Sequence, residues 1–291
     1  MNNQALLTID GKYPENTKNV NWETSTTGNH SMEAMMQYAQ ELDTINLETH
    51  SACNYSKIHC NQCPVATRTE MFGKHKLSMD VIQSIFEDLN TLGYRGTSFF
   101  HSYNEALMDK RIYDIIKMHH KICLSAKTGI LTNGRLLTEE VGHKLMDAGV
   151  TTLEVSAYHL QDPEEVGTDE YHRIVKVMES LKEQYPDNRF SIGTMILDDR
   201  MNFYDHGWAM TQGSTRPENG LQPCPRAVEQ LIIASCGHLQ LCCYEWKKEN
   251  KFGNLNEKRL IEILETSNFL NVREDLKIGY RDKYYPCDRC Y

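Results

Sequence analysis

INLETHSACNYSKIHCNQCPV, residues 45–65, carries a short alternating apolar run straight into three cysteines. Ile45 and Leu47 have the period of a strand, and that strand leads to Cys53. Six residues separate Cys53 from Cys60, and two separate Cys60 from Cys63. Three thiolates are one short of a closed tetrahedral site and an odd number for disulfides. On a four-iron cluster they would leave one iron without a protein ligand, open to a substrate or cofactor. Zinc with His59 as fourth ligand is a second reading of the same residues, and two buried free cysteines beside a reactive one is a third.

Outward from this stretch, strands and helices alternate. The spacing predicts a helix in SMEAMMQYAQEL and another after Ser78, on Ile82, Ile85, Phe86 and Leu89, stopped by Gly93. GTSFFH reads as a strand, DKRIYDIIKMHH as a helix and ICLSAKTGIL as mostly strand. Thr138 caps EEVGHKLMDA, which Gly149 ends, and TTLEVSAY is a strand. Thr168 is expected to cap the next helix, and RFSIGTMIL follows as a strand. This order implies parallel strands joined by crossovers, hence an α/β fold of the partial (β/α)6-type parallel barrel or open-sheet kind. Its site should lie at the C-terminal ends of the strands. Residues 198–223 are polar and Gly-rich, and no sixth strand is evident there.

The division read from the sequence is an extension over 1–44, a barrel over 45–223 and a small four-cysteine module over 224–291. In that module EQLIIASCGHLQLCCYEW reads as two short strands around a Cys-Gly-His turn, and NEKRLIEILETSNFLNVREDL as helical. Seventeen residues separate Cys224 from Cys242, 44 separate Cys242 from Cys287, and Cys287 and Cys290 form a CxxC pair. Four such thiols fit a closed site for zinc or for an iron–sulfur cluster, and composition does not choose between them.

The chain has 291 residues, ten cysteines and a formal charge of -9. That charge argues against a nucleic-acid coat or an anionic-membrane binder, since phosphates repel it. No run approaches 18 apolar residues, and MNNQALLTIDGKYPENTKNV lacks a charged-then-apolar export pattern. Cytoplasmic, reduced cysteines are therefore expected, used for metal or chemistry.

Together these motifs resemble the radical S-adenosylmethionine (radical SAM) enzymes. The resemblance covers roughly residues 45–291. In that family three cysteines after the first strand hold a four-iron cluster whose open iron chelates S-adenosylmethionine, which implies Cys53, Cys60 and Cys63 here. The spacing of six then two, where three then two is commoner, reads as an insertion of three residues. FFHSYNEALMDKRI falls where the family has Gly-Gly-Glu-Pro, so Tyr103, Asn104 and Glu105 take the Gly-Gly-Glu positions and Glu105 should hold the methionyl amine. LTNGRLL matches a Thr-Asn-Gly segment through Thr132 and Asn133, and Ser156 stands where the fourth strand often touches the cofactor. CGHLQLCCYEWKKENKFGNL resembles the start of a SPASM or twitch module: Gly237 precedes Cys242 with four residues between them, and Gly253, Asn254 and Leu255 follow. The short tail suits the twitch version, with one auxiliary cluster on Cys224, Cys242, Cys287 and Cys290.

The resemblance implies two 4Fe-4S clusters, S-adenosylmethionine and a flavodoxin- or ferredoxin-type electron donor. An electron cleaves the sulfonium, and the 5′-deoxyadenosyl radical takes a hydrogen atom from a substrate C–H. If the auxiliary cluster takes a further electron, the substrate is dehydrogenated. If a thiol returns hydrogen from the opposite face, it is epimerised, and Cys243 is the candidate donor. Buried inertness, or exchange of roles with Cys242, is the plainer reading of Cys243; Cys236 and Cys123 are similar leftovers. The expected substrate is a small polar metabolite such as a sugar, aminocyclitol or nucleoside. A peptide is the alternative, weakened by the absence of a separate leader-binding segment ahead of the barrel, and a zinc-stapled binding protein is the reading from another class. Arg173, Arg200, Arg216 and His206 lie where they could reach the barrel mouth.

Overall fold

A strand buried on both faces needs apolar residues at successive positions, and β1 (Thr44–Leu47) places Ile45, Asn46 and Leu47 all in the interior. In the computed structural model, which describes residues 28–54, 74–159, 167–196, 223–245, 247–248, 250–284, 287 and 290, this strand is the centre of assembly. It is followed by α2 (Met79–Thr91), β2 (Thr97–Phe99), α3 (Ile112–Ile122), β3 (Lys127–Thr132), α4 (Glu139–Ala148), β4 (Thr152–His159), α5 (Gly167–Gln184) and β5 (Arg189–Ile196). The helix α1 (Met32–Glu41) precedes it. Every pairing from β1 to β5 is parallel.

The helix starts and stops follow local chemistry. Ser31, Ser78 and Thr138 each accept a hydrogen bond from the backbone three residues on. Gly149, at φ 111°, closes α4 in the left-handed region that a side chain would resist. Two sequence expectations move by a few residues. The stretch ICLSAKTGIL is strand only from Lys127, because Ile122 still belongs to α3 and the chain turns through Cys123, whose N–H returns to His119. The helix α5 begins at Gly167, one residue ahead of Thr168.

The sixth parallel strand lies elsewhere than its order suggests. Following α6 (Pro225–Glu229), β6 (Gln230–Ile233) pairs in parallel with β1, and β7 (Leu239–Gln240) returns antiparallel on β6. The sheet order is β5-β4-β3-β2-β1-β6-β7. Leu231, Ile232 and Ile233 are all fully buried, as a continuous apolar run on an interior strand should be. The two strands around the Cys-Gly-His turn are thus as expected, and they extend the barrel's own sheet.

The rest of the C-terminal segment packs back onto the first elements. It forms α7 (Leu260–Thr266) and α8 (Phe269–Lys277), broken at Ser267 and Asn268. Phe269 meets the Tyr38 ring of α1 at 5.9 Å and Phe252 at 5.0 Å, both edge-on. Asp88, buried on α2, accepts from Arg259 at 2.7 and 3.1 Å. No described helix is long and apolar enough to cross a membrane.

Asp88→Ala should cost about 1–3 kcal/mol, read as a lower urea midpoint with unchanged slope, because Arg259 remains half in solvent. A second expectation concerns His119, fully buried between Ser98 Oγ and Thr128 Oγ1, each 2.9 Å from a ring nitrogen. Burial lowers its pKa from 6.5 to about 4. Between those values the unfolded chain takes the proton and the folded one does not, so stability is whole above pH 6.5 and falls below it. Urea unfolding at pH 7 and pH 5 should show a loss of about 2 kcal/mol that His119→Gln lacks.

Candidate active site and cluster site

The C-terminal ends of β1, β2, β3 and β6 meet around two buried carboxylates. Glu48, the residue after β1, is 1% exposed. Its Oε1 accepts from Tyr103 N–H at 3.1 Å, and its Oε2 from Ser235 N–H at 2.8 Å and Ser235 Oγ at 2.7 Å. One side chain therefore holds the loop after β2 and the loop after β6 together. Nothing in the sequence pattern singled it out, since a lone Glu after a strand has no motif.

Glu105, 2% exposed, does the same for β2 and β3. Its Oε1 accepts from Thr132 Oγ1 at 2.6 Å and Leu107 N–H at 3.1 Å, and its Oε2 from Asn133 N–H at 2.8 Å. Burial pushes its pKa up against those three hydrogen bonds. A carboxylate has room for about four donors, so among the described residues one place stays open on Oε2. Thr132 Oγ1 also accepts from Gly134 N–H, which makes the Thr-Asn-Gly turn part of the same network. Arg173 donates to the carbonyl of Gly134 at 2.9 Å, so it braces this turn.

The first cysteine is tied to the Glu105 network. Glu105 N–H donates to the Ala52 carbonyl at 2.9 Å, and Asn133 Nδ2 to Asn54 Oδ1 at 2.7 Å, on either side of half-buried Cys53. Ser51 pairs with His75, and Leu77 with Thr49, at the described flanks of the cysteine segment. Arg111 reinforces both flanks through the carbonyls of Leu77 at 2.7 Å and Thr49 at 3.4 Å. Asp109 in turn fixes Arg111. Burial would raise the Asp109 pKa, but Arg111 outweighs it and holds it near 2. Cys60, Cys63, His59, Arg200, Arg216 and His206 lie outside the described residues. Ser156 stands half-buried on β4 beside Gly193, with no hydrogen bond to the Glu105 network among the described residues. Asn104 turns inward, accepting from Ser102 N–H at 3.0 Å.

The second set of thiols gathers in the C-terminal segment. Cys224 opens α6 and its N–H donates to the Leu276 carbonyl of α8 at 3.0 Å. Cys242 and Cys287 are buried, and Cys290 N–H returns to the Cys287 carbonyl. Burial pushes the thiols of Cys242, Cys287 and Cys290 up, and neighbouring thiols push them further: Cys243 and Cys287 on Cys242, Cys224 and Cys290 on Cys287, Cys224 on Cys290. An iron–sulfur cluster or a metal held by these thiols would deprotonate them. They are gathered but not drawn into a tetrahedron, since no three metal-ligating side chains form a metal-holding group among the described residues. The buried Arg273, with Nε and Nη1 lacking a hydrogen-bond partner among the described residues, lies beside them and suits an anionic occupant.

Cys243 links the two sets. Its carbonyl accepts from the Tyr103 hydroxyl, and its sulfur lies 3.8 Å from Arg226 Nη1. The other unassigned thiols differ. Cys123 is a core residue whose thiol donates to the Phe86 carbonyl and is pushed up to about 12 by burial. Cys236 lies 3.3 Å from His238 Nδ1, which together with Lys248 outweighs burial and brings the thiol to about 7. The glycine pattern also has a steric cause. A Cβ on Gly237, at φ 87°, would stand 2.3 Å from the side chains of Asn254 and Asn256. A Cβ on Gly253 would stand 2.7 Å from Ile263.

The model of the radical SAM superfamily matches residues 47–202, and that of the SPASM iron–sulfur cluster-binding domain matches residues 224–291. A S-adenosyl-L-methionine-dependent 2-deoxy-scyllo-inosamine dehydrogenase of Niallia circulans is 24% identical over 254 residues, 84% of this chain and 91% of that protein. The crystal structure of BtrN in complex with AdoMet and 2-DOIA superposes with a TM-score of 0.67 at 21% identity, covering 86% of this chain and 92% of BtrN. That of anSMEcpe with bound AdoMet and the Cp18Cys peptide gives 0.53 at 12% identity, covering 86% and 87%. The family model spans more than half of the chain, with iron–sulfur clusters and S-adenosylmethionine as the cofactors. This protein belongs to the radical SAM superfamily.

Proposed function

We propose that this enzyme dehydrogenates a hydroxyl-bearing carbon of a small polar substrate of the aminocyclitol or sugar type. The observation that carries this reading is the second group of thiols, joined to the Glu105 loop through Tyr103 and Cys243. It would put an electron acceptor next to the hydrogen-abstracting site. The dehydrogenase relative of similar length supports the same reaction class.

In this reading Cys53, Cys60 and Cys63 hold the cluster that binds S-adenosylmethionine, and Cys224, Cys242, Cys287 and Cys290 hold the auxiliary one. When bound, these groups supply hydrogen-atom abstraction and a one-electron acceptor. Glu105 takes the methionyl amine on its open Oε2 position, and Thr132 and Asn133 keep the carboxylate aimed. Tyr103 and Asn104 shape the loop that carries it, and Ser156 contributes a polar contact from β4. Arg111 and Asp109 hold the cysteine segment at β1. The substrate loses one hydrogen atom, then one electron and one proton, leaving a carbonyl. Residues 45–223 form the barrel unit and 224–291 the auxiliary unit, sharing one sheet through β6. The electron donor belongs to the flavodoxin or ferredoxin class, and the enzyme works in the reducing cytoplasm.

Glu105→Gln should weaken S-adenosylmethionine binding at least about tenfold, the equivalent of 1.4 kcal/mol, in anaerobic equilibrium titrations. The amide loses the charge and turns an N–H2 group toward Thr132 Oγ1. Unchanged affinity would remove Glu105 from the site. With S-adenosylmethionine, a reductant and an aminocyclitol, the product should be lighter by two hydrogens and matched by 5′-deoxyadenosine. Unchanged mass in ordinary water, with deuterium uptake in heavy water that Cys243→Ala abolishes, would overturn dehydrogenation in favour of epimerisation.

A further inference from the structure

The helix α8 carries a buried cation beside the C-terminal thiols. Arg273 is 2% exposed. Its guanidinium lies over the Phe269 ring, 4.5 Å from the centroid, and near the Tyr38 ring at 5.4 Å. Nη2 donates to the Leu241 carbonyl at 3.3 Å, one residue before Cys242. Nε and Nη1 are buried and have no hydrogen-bond partner among the described residues. No carboxylate pairs with Arg273 among the described residues.

This placement is costly as it stands. A buried charge needs an opposite charge, and two of its nitrogens lack a hydrogen-bond acceptor among the described residues. The neighbouring arginines differ in what they reach. Arg259 is paired with Asp88 and Arg226 is exposed. Arg281 is also buried, but its Nη2 donates to the Cys290 carbonyl at 2.8 Å and it faces the Cys287–Cys290 end of the thiol group, whereas Arg273 lies beside Leu241 at the Cys242 end. The anionic forms that act on Arg273 are those of Tyr38 and of Cys242, Cys224 and Cys287. Burial raises the Tyr38 hydroxyl to about 12, so it stays neutral. The thiols remain.

We infer that Arg273 is the built-in counter-charge of the auxiliary cluster and raises its reduction potential, fitting it to accept the electron released by substrate oxidation. The inference rests on the reading that Cys224, Cys242, Cys287 and Cys290 hold an iron–sulfur cluster. Taking up one electron adds one negative charge to a cluster already anionic from four thiolates. A fixed buried cation favours that reduced form over the oxidised one. The electron balance is complete: the substrate radical gives up one electron and one proton, the cluster is reduced by one electron, and a low-potential one-electron carrier protein reoxidises it. Arg273 touches neither substrate nor S-adenosylmethionine in this role; it acts through the cluster.

The test uses the full chain with Cys53, Cys60 and Cys63 changed to Ala, so that the C-terminal cluster is the one observed. Iron content and a redox titration followed by electron paramagnetic resonance are measured for this parent and for Arg273→Met, Arg273→Gln and Arg273→Lys. The two neutral variants should titrate at least about 59 mV lower, a tenfold change in a one-electron equilibrium constant. The Lys variant should stay within about threefold of the parent. Loss of the cluster in both neutral variants, with retention in the Lys variant, equally supports the counter-charge. Full clusters at the parent potential in the neutral variants overturn the inference and leave the cluster standing. So does a Lys variant that behaves like the neutral ones, or loss of iron in all three. A parent without iron or signal overturns the cluster reading itself.

Discussion

The architecture of the active end depends on one carboxylate, Glu48. It accepts three hydrogen bonds in the interior, from two loops that are far apart in sequence. Left unpaired, a buried carboxylate would be strongly unfavourable, so those loops are held where the donors are. The Tyr103 loop then carries Glu105 to the first cysteine, and the Ser235 loop leads by β7 to Cys242. Two chemically separate regions are thus set by a residue belonging to neither. Tyr103, standing where the family has a small residue, adds a second tie through the Cys243 carbonyl.

Much of this was legible in the chain. The caps at Ser78 and Thr138 and the stop at Gly149 are local hydrogen-bond and backbone-angle effects, so they read directly from neighbouring residues. The Thr-Asn-Gly turn and Glu105 were visible as a motif, and the structure joins them by hydrogen bonds. What was not legible is long-range. QLII carries no sign of whether it joins β5 or β1, because strand order is set by packing and not by local pattern. Glu48, Arg111 and Arg273 are ordinary polar residues in sequence and acquire their roles through burial.

Burial of charge is the common theme of the active end. Glu105 and Asp109 show how opposite outcomes arise from the same cause. Both are desolvated, but Asp109 has a guanidinium and goes down, whereas Glu105 has neutral donors and goes up. Arg273 is the mirror case, a desolvated cation lying over an aromatic face on the thiol-bearing side of the molecule. The C-terminal segment is accordingly more than a cap on the barrel, since it brings its own electrostatic environment.

The parallel pairing of β1 with β6 also has a consequence for biosynthesis. Residues 44–47 leave the ribosome long before their partners at 230–233. Until then β1 has β2 on one side and an open ladder of backbone groups on the other, an edge that can recruit a foreign strand. Folding of this chain is therefore governed by a contact of very large sequence separation, which slows closure of the sheet. The centre of the finished molecule stays an open edge until four-fifths of the chain has been made.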